Sequence, residues 1–231
     1  MTPRPAQPQN SPEAGSTRTV DRAFDLLAAI TERAAGGGAS LSELARATGL
    51  SPATASRLLG TLLRRGLVRR DEHGAYRPGL GLMQLASVVL RGEPLYELAG
   101  PVLVELAAAT GETANLGVPV DHDRALYLRQ VAGDQRVQTA VWTGRTIPRA
   151  GTAMGAALAG AVGDDGYASS RGSLEPDITS IAAPVRDHDG AIVAALTILA
   201  PSYRTSERDV ERHGAQLVRH ARELSLALGS P

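Results

Sequence analysis

The run Ser51-Pro52-Ala53-Thr54-Ala55-Ser56-Arg57 combines short hydroxylic side chains with one long guanidinium fork. That mixture suits the edges of DNA bases. An Arg can take guanine O6 and N7 bidentately, and a Thr or Ala methyl can meet the methyl of thymine. Arg64, Arg65, Arg69, Arg70 and Arg77 follow close behind, and cations of this kind neutralise phosphates without reading sequence. Other chemistries find less support. Asp121-His122-Asp123 and Asp187-His188-Asp189-Gly190 have the composition of strand turns. His213 and His220 stand seven residues apart with no Cys or His beside them, which argues against a zinc site. The absence of Cys removes thiol chemistry and disulfides, and the absence of Lys removes Schiff bases and phosphate-loop lysines. No Gly-x-Ser-x-Gly elbow and no Walker or Rossmann glycine loop is present. The reading is no enzyme, no catalytic residue, no metal and no cofactor.

The elements that must carry these residues are legible from their punctuation. From Thr19 a helical period places Val20, Phe24, Leu27, Ala28 and Ile30 on one face, and Gly36-Gly37-Gly38 ends it. Ser40-Leu-Ser-Glu43 is a capping-box pattern opening a short helix over 41–48, with Gly49 as its C-cap. Ser51-Pro52 is an N-cap followed by Pro at the first helical position, starting a helix to about Arg65. In that helix Leu58, Leu59, Leu62 and Leu63 form the core face. After Gly66, residues 67–70, the turn 71–74 and residues 75–77 read as a β-hairpin. Helix, turn, capped second helix and β-wing make a winged helix-turn-helix, whose second helix enters the major groove. Helices follow at 80–90 and 94–110, the latter expected to be interrupted at Pro101. Strands are expected at 113–119, 125–131 and 137–143, then a small-residue helix at 151–161. A hairpin of 178–185 and 191–199 comes next, and Ser206 caps a final amphipathic helix to about Leu228.

Charge supports two modules. The 24 basic residues, all Arg, balance 24 acids, yet residues 1–90 carry 11 Arg against 7 acids while 91–231 carry 13 against 17. A basic first half and an acidic second half point to different partners. Residues 1–17, rich in Pro, Gln and Ser, read as a disordered tail without a signal-peptide core. The longest apolar run, 191–200, is about half of the roughly 20 residues that a membrane helix needs, so a soluble cytoplasmic protein is expected, with no membrane partner.

The chain resembles the isocitrate lyase regulator (IclR) family of bacterial transcription factors. The likeness is carried by TVDRAFDLL from Thr19 and by LSELARATGLSPATASRLLGTLLRRGLVRRDEHGAYRPG from Leu41 to Gly79. It continues in LAAATGETANLGV from Leu106, TGRTIPRAGTAMGAALAG from Thr143 and GYASSRGSLEPDITSIAAPVRDHDGAIVAALTILAP from Gly166. The resemblance implies an α+β protein. A disordered tail (1–17) precedes a winged helix-turn-helix domain (18–79), linker and dimerisation helices (80–110) and a GAF-like α/β effector-binding domain (111–231). It further implies a homodimer or homotetramer on a pseudo-palindromic double-stranded DNA operator, more often a repressor, responding to a small-molecule effector such as a metabolic acid or aromatic catabolite. Effector contacts are implied at Thr152, Ala153, Met154 and Gly155, at Ser180 and Ile181, and at Thr197 and Leu199, with Asn115 and Trp142 completing the walls. Backbone N–H groups at the start of the small-residue helix would suit a carboxylate. The segment near 162–166 is shorter than the family pattern, Ser169–Ser173 replaces an acidic run, and Asp177 stands where a Gly is usual. The alternative is therefore kept open that the second half is an oligomerisation or protein-interaction module with no ligand.

Overall fold

A computed structural model describes residues 17–34, 36–136 and 138–230, and the chain divides into two compact units, Met1–Val89 and Leu90–Pro231. The tail expected at 1–17 falls almost wholly outside the described residues. The first unit holds α1 (Arg18–Glu32), α2 (Leu41–Ala47), α3 (Pro52–Arg64), β1 (Val68–Arg70) and β2 (Tyr76–Pro78), and it ends within α4 (Leu80–Arg91). Both expected caps form. Ser40 Oγ accepts from Glu43 N while Glu43 returns a bond to Ser40 N, and Ser51 Oγ accepts from Thr54 N at 3.2 Å. Each satisfies a backbone donor that the helix itself leaves open. Leu26, Ile30, Leu44, Ala55, Leu58, Leu59, Leu62, Val68 and Tyr76 close one core. Leu63 packs only partly against it. On α1 the buried stripe is Leu26, Leu27, Ala29 and Ile30, whereas Val20 and Phe24, expected inside, are 50% and 65% exposed. No residue of α4 is buried, and Leu80, Met83, Leu85, Val88 and Val89 all face outward.

The second unit comprises α5 (Pro94–Thr110), β3 (Thr113–Pro119), β4 (Arg124–Val131), β5 (Thr146–Pro148), α6 (Ala153–Leu158), β6 (Ala168–Arg171), β7 (Ile178–Arg186), β8 (Ile192–Pro201) and α7 (Glu207–Ala227). The six strands form an antiparallel sheet ordered β5-β4-β3-β8-β7-β6. Side chains alternate between its faces. Ala114, Leu116, Ile181, Ala183, Leu196 and Ile198 meet α5 and α7. Ala182, Ala195 and Leu199 meet α6, with Tyr127 and Trp142 in the same cluster. A part-buried fork-to-fork ion pair ties the residue before β3 to the turn after β8. Arg204 Nε and Nη2 donate to the two Glu112 oxygens at 3.0 and 2.8 Å.

Four local expectations change. α5 runs through Pro101 unbroken; Pro101 is exposed, so water can take the carbonyl its missing N–H leaves free. The strand expected at 137–143 does not form over 138–143, residue 137 lying outside the described residues. There Trp142 N bonds the Gln130 side chain at 2.7 Å instead of a neighbouring strand, and the pairing segment is β5. The helix expected over 151–161 is confined to α6, because Thr152 is its cap and Ala159 its C-cap. An edge strand, β6, was not anticipated; it pairs with β7 through Ala168–Arg171.

Candidate nucleic-acid interface and effector site

Capping and packing decide which face of α3 is free. Ala55, Leu58, Leu59 and Leu62 are committed to the core, so Ser51, Pro52, Ala53, Ser56 and Arg57 stand exposed, with Thr54 half-buried beside them. Thr54 also receives the Ser51 hydroxyl at 2.9 Å, which restrains its rotamer. The arginines sort by what holds them. Among the described residues Arg57, Arg65 and Arg69 make no ion pair, and each is exposed. Arg64 donates to Thr61 Oγ1 at 3.0 Å. Arg70 is folded back into the wing, its Nε on the Gly74 carbonyl at 3.0 Å and its guanidinium 5.2 Å from the centre of the Tyr76 ring. Arg77 is bound to Asp71 at 2.7 Å, and that bond holds the Asp71 carboxyl below its usual range. Arg77 therefore shapes the wing rather than standing ready for a phosphate.

In the second unit the α6 side of the sheet gathers polar groups that nothing satisfies. Asn115 Oδ1 and Nδ2, Trp142 Nε1 and Ser180 Oγ are buried without a hydrogen-bond partner among the described residues, and Tyr127 Oη and Thr197 Oγ1 are buried with no partner beyond their weak approach to each other. Register joins them. Asn115 pairs with Thr197 across β3–β8, Gly117 pairs with Tyr127 across β3–β4, and Ser180 pairs with Leu199 across β7–β8. An irregularity between Leu116 and Gly117 shifts the β3–β4 register, so Gln130 opposes Asn115 while Tyr127, three residues earlier, still opposes Gly117 on the same face. The Tyr127 and Trp142 rings lie 5.5 Å apart at a 50° tilt, and the Arg145 guanidinium caps the indole at 4.6 Å. Burial pushes the Tyr127 phenol well above its ordinary pKa, with the neighbouring Thr197 hydroxyl pulling weakly the other way. An unpaired buried polar group costs ~1–3 kcal/mol. Five residues carrying such groups gather on one face, the polar part of what a site for a hydrogen-bonding small molecule requires.

Not every expected residue joins that cluster. Asn115, Trp142, Ser180, Thr197 and Leu199 do, with Met154 and Ala153 roofing them from α6. Ile181 does not. It is adjacent to Ser180 on the strand, so it points to the opposite face and packs under α7. The Thr152 hydroxyl is already used, accepting from Gly155 N at 3.1 Å and lying within bonding distance of the Pro148 and Arg149 carbonyls. The amide of Ala153 donates to Ser170 Oγ at 3.3 Å. Two of the amides expected to receive a carboxylate are thus occupied, and α6 has only six residues. Gly155 is required at its place, since a Cβ there would collide with the Arg149 carbonyl. Along α6, a depression of about 450 Å³ is lined by His122, Arg149, Ala153, Ala156, Ser169 and Ser170 among others. Sequence reasoning missed Tyr127, Arg145 and Ser170. The one available signal was a Tyr on a strand two residues from the apolar Ala125.

The first aspartate of each Asp-His-Asp segment holds its turn. Asp121 Oδ1 accepts from Asp123 N and Arg124 N, and Asp187 Oδ1 accepts from Asp189 N and Ala191 N.

Comparison with known proteins adds an independent line. Residues 19–72 match the model of the IclR helix-turn-helix domain, and residues 87–165 and 160–226 match that of the bacterial transcriptional regulator IclR C-terminal domain. The HTH-type transcriptional regulator BhcR of Paracoccus denitrificans is 27% identical over 252 residues, covering 94% of this chain and 89% of its own. The transcriptional repressor IclR of Escherichia coli is 24% identical, covering 95% and 93%. Among solved structures, an IclR-type transcriptional regulator from Alicyclobacillus acidocaldarius superposes with a TM-score of 0.79 at 25% identity, covering 93% of this chain and all of its own. An IclR homolog from Microbacterium hydrocarbonoxydans, solved with 4-hydroxybenzoate, gives 0.74 at 22%, covering 91% and 98%. The C-terminal model matches in two stretches that meet at 160–165.

Proposed function

The chain belongs to the IclR family of helix-turn-helix transcriptional regulators, and we propose that it is a cytoplasmic repressor, without enzymatic activity, whose DNA affinity is set by a small-molecule effector. α3 lies in the major groove of each half-site of a pseudo-palindromic operator. Arg57 reads a base there, while Arg64, Arg65 and Arg69 neutralise phosphates. Two or four copies associate through the apolar residues that one chain leaves outside, Val20 and Phe24 on α1 and the outward face of α4. The cluster of unpartnered polar atoms on the α6 face carries the control. It binds a metabolic acid or an aromatic catabolite, with the Tyr127–Trp142 pair as an aromatic wall and Asn115, Ser180 and Thr197 as hydrogen-bonding groups. The effector acts through unequal affinity for the DNA-competent and DNA-incompetent arrangements.

Two measurements test this reading. In footprinting, Arg57→Ala loses discrimination at one base pair, by ~1–3 kcal/mol, whereas Arg69→Ala weakens all sequences evenly and flattens the salt slope. An unchanged footprint in Arg57→Ala removes α3 as the reading helix. Screening acids and aromatics by thermal shift then seeks a ligand that also weakens operator binding. Trp142→Phe keeps the ring but removes the N–H, and should weaken that ligand by about tenfold, the worth of ~1–1.5 kcal/mol. A screen without a single stabilising compound favours the reading of the second unit as an interaction module, which the short join at 160–165 motivates.

A further inference from the structure

We propose that Glu105 on α5 and His220 and Glu223 on α7 form a binding site for a first-row divalent cation of the zinc type, apart from both sites above. His220 and Glu223 are spaced i, i+3, so they project from one side of α7. Glu105 meets them from the neighbouring helix, and one ligand atom of each residue lies within 4.8 Å of the others. A carboxylate from one helix facing a His and a carboxylate three apart on another is a donor set that helical proteins use for metals.

The imidazole supplies the second observation. His220 is only 1% exposed. Its Nδ1 lies 2.8 Å from the Gln216 carbonyl, which can only accept, so Nδ1 carries the hydrogen and donates. That bond fixes the ring and leaves the Nε2 lone pair directed away from it, as for a metal-bound histidine held by a carbonyl behind it. What Nε2 meets is a cation of the chain itself. Arg219 Nη2 stands 3.5 Å from it, and Arg219 Nε stands 3.7 Å from Glu223. The Arg219 side chain is 60% exposed, free to swing out and give up the place. With one imidazole and two carboxylates, the set favours zinc, nickel or cobalt over magnesium, which prefers oxygen ligands alone. Both glutamates are exposed, so water completes the shell. A bound cation pins α5 to α7 across the face they share against the sheet. Glu105, which faces His220 from another helix, has no spacing in the sequence that would join it to the pair on α7. The second cluster of this kind, Asp187-His188-Asp189, differs because its Asp187 oxygen is already taken by the turn.

The test uses the full chain, stripped with a chelator and titrated with Zn²⁺ by calorimetry, with the melting temperature followed in parallel. Wild type should bind one tight equivalent and melt higher, while Mg²⁺ at the same concentration does neither. Glu105→Gln, at an exposed position, should weaken that equivalent about tenfold or more. Arg219→Ala should tighten it several-fold by removing the competing cation. His220→Gln should abolish it, and its melting temperature without metal reports any loss of packing separately. Absence of zinc binding in wild type overturns the proposal. So does an equivalent whose affinity is the same in Glu105→Gln and Arg219→Ala, which assigns the zinc elsewhere.

Discussion

Two buried serines of the second unit make opposite cases for what a hydroxyl contributes. Ser225 accepts from Arg186 N at 2.9 Å and donates to the Ala221 carbonyl at 2.7 Å, so its oxygen is fully used. Ser180, equally buried, bonds to nothing among the described residues. Substitution by Ala should therefore have opposite signs. Ser225→Ala leaves the Arg186 amide unpaired and costs ~1–3 kcal/mol, whereas Ser180→Ala removes an unpaired group and stabilises the ligand-free protein by ~1 kcal/mol. Chemical denaturation of both variants checks this, and destabilisation by Ser180→Ala would mean that its hydroxyl has a partner. Asn115, Ser180 and Thr197, expected from the family resemblance, share a face because alternate strand positions do, whereas Trp142 reaches the same cluster from a segment outside any strand. That same alternation puts Ile181 on the face opposite Ser180. Tyr127 follows the count of two from Ala125 on the same face, whereas Gln130 does not, because the register shift in β3–β4 lies between them.

Elements were read best where their ends are written in side chains. Ser40 with Glu43, Ser51 with Pro52, and Ser206 with its acidic third residue each cap a helix at the expected place. The segment 138–143 was misread because β-branched residues alone do not make a strand; pairing does, and Gln130 takes the Trp142 amide first. Two elements yield predictions. In α6, Gly155→Ala drives a methyl into the Arg149 carbonyl, and overpacking of this kind costs ~1–3 kcal/mol. Its melting temperature should fall while the isolated Met1–Val89 unit is untouched. In α7, burial is the first cause lowering the His213 pKa, followed by Arg212. The folded state thus resists protonation that the unfolded chain accepts below its ordinary value near 6.5. The contribution is complete above that value and lost as pH falls from there toward the folded pKa. Melting temperature should drop as pH falls below about 6.5, and His213→Gln should flatten that drop. The cap bond from Ser206 lowers Asp209 and is lost only in more acidic solution, as that carboxylate protonates. The two effects are separable by window.

At the scale of the molecule, the zero net charge of the sequence hides two units with separate cores. Residues 90–231 should fold alone, with a cooperative calorimetric transition and the same response to Zn²⁺ as the full chain, but with no affinity for DNA. A fragment that melts without cooperativity would show that its core depends on the first unit. The order of the modules was legible because composition, caps and charge change together near residue 90. What the exposed apolar residues of α1 and α4 meet was not legible, since an apolar helical face reads alike whether it meets its own chain or a copy. One consequence of the site's construction is optical. Trp142 is the chain's sole tryptophan, and it forms a wall of the candidate effector site, stacked under Arg145 and tilted against Tyr127. The indole emission of the whole protein therefore issues from one place, with no background from elsewhere in the chain. Any occupant that displaces the guanidinium or takes the indole N–H should change its colour or yield. The regulator carries its own label-free reporter at the proposed effector site.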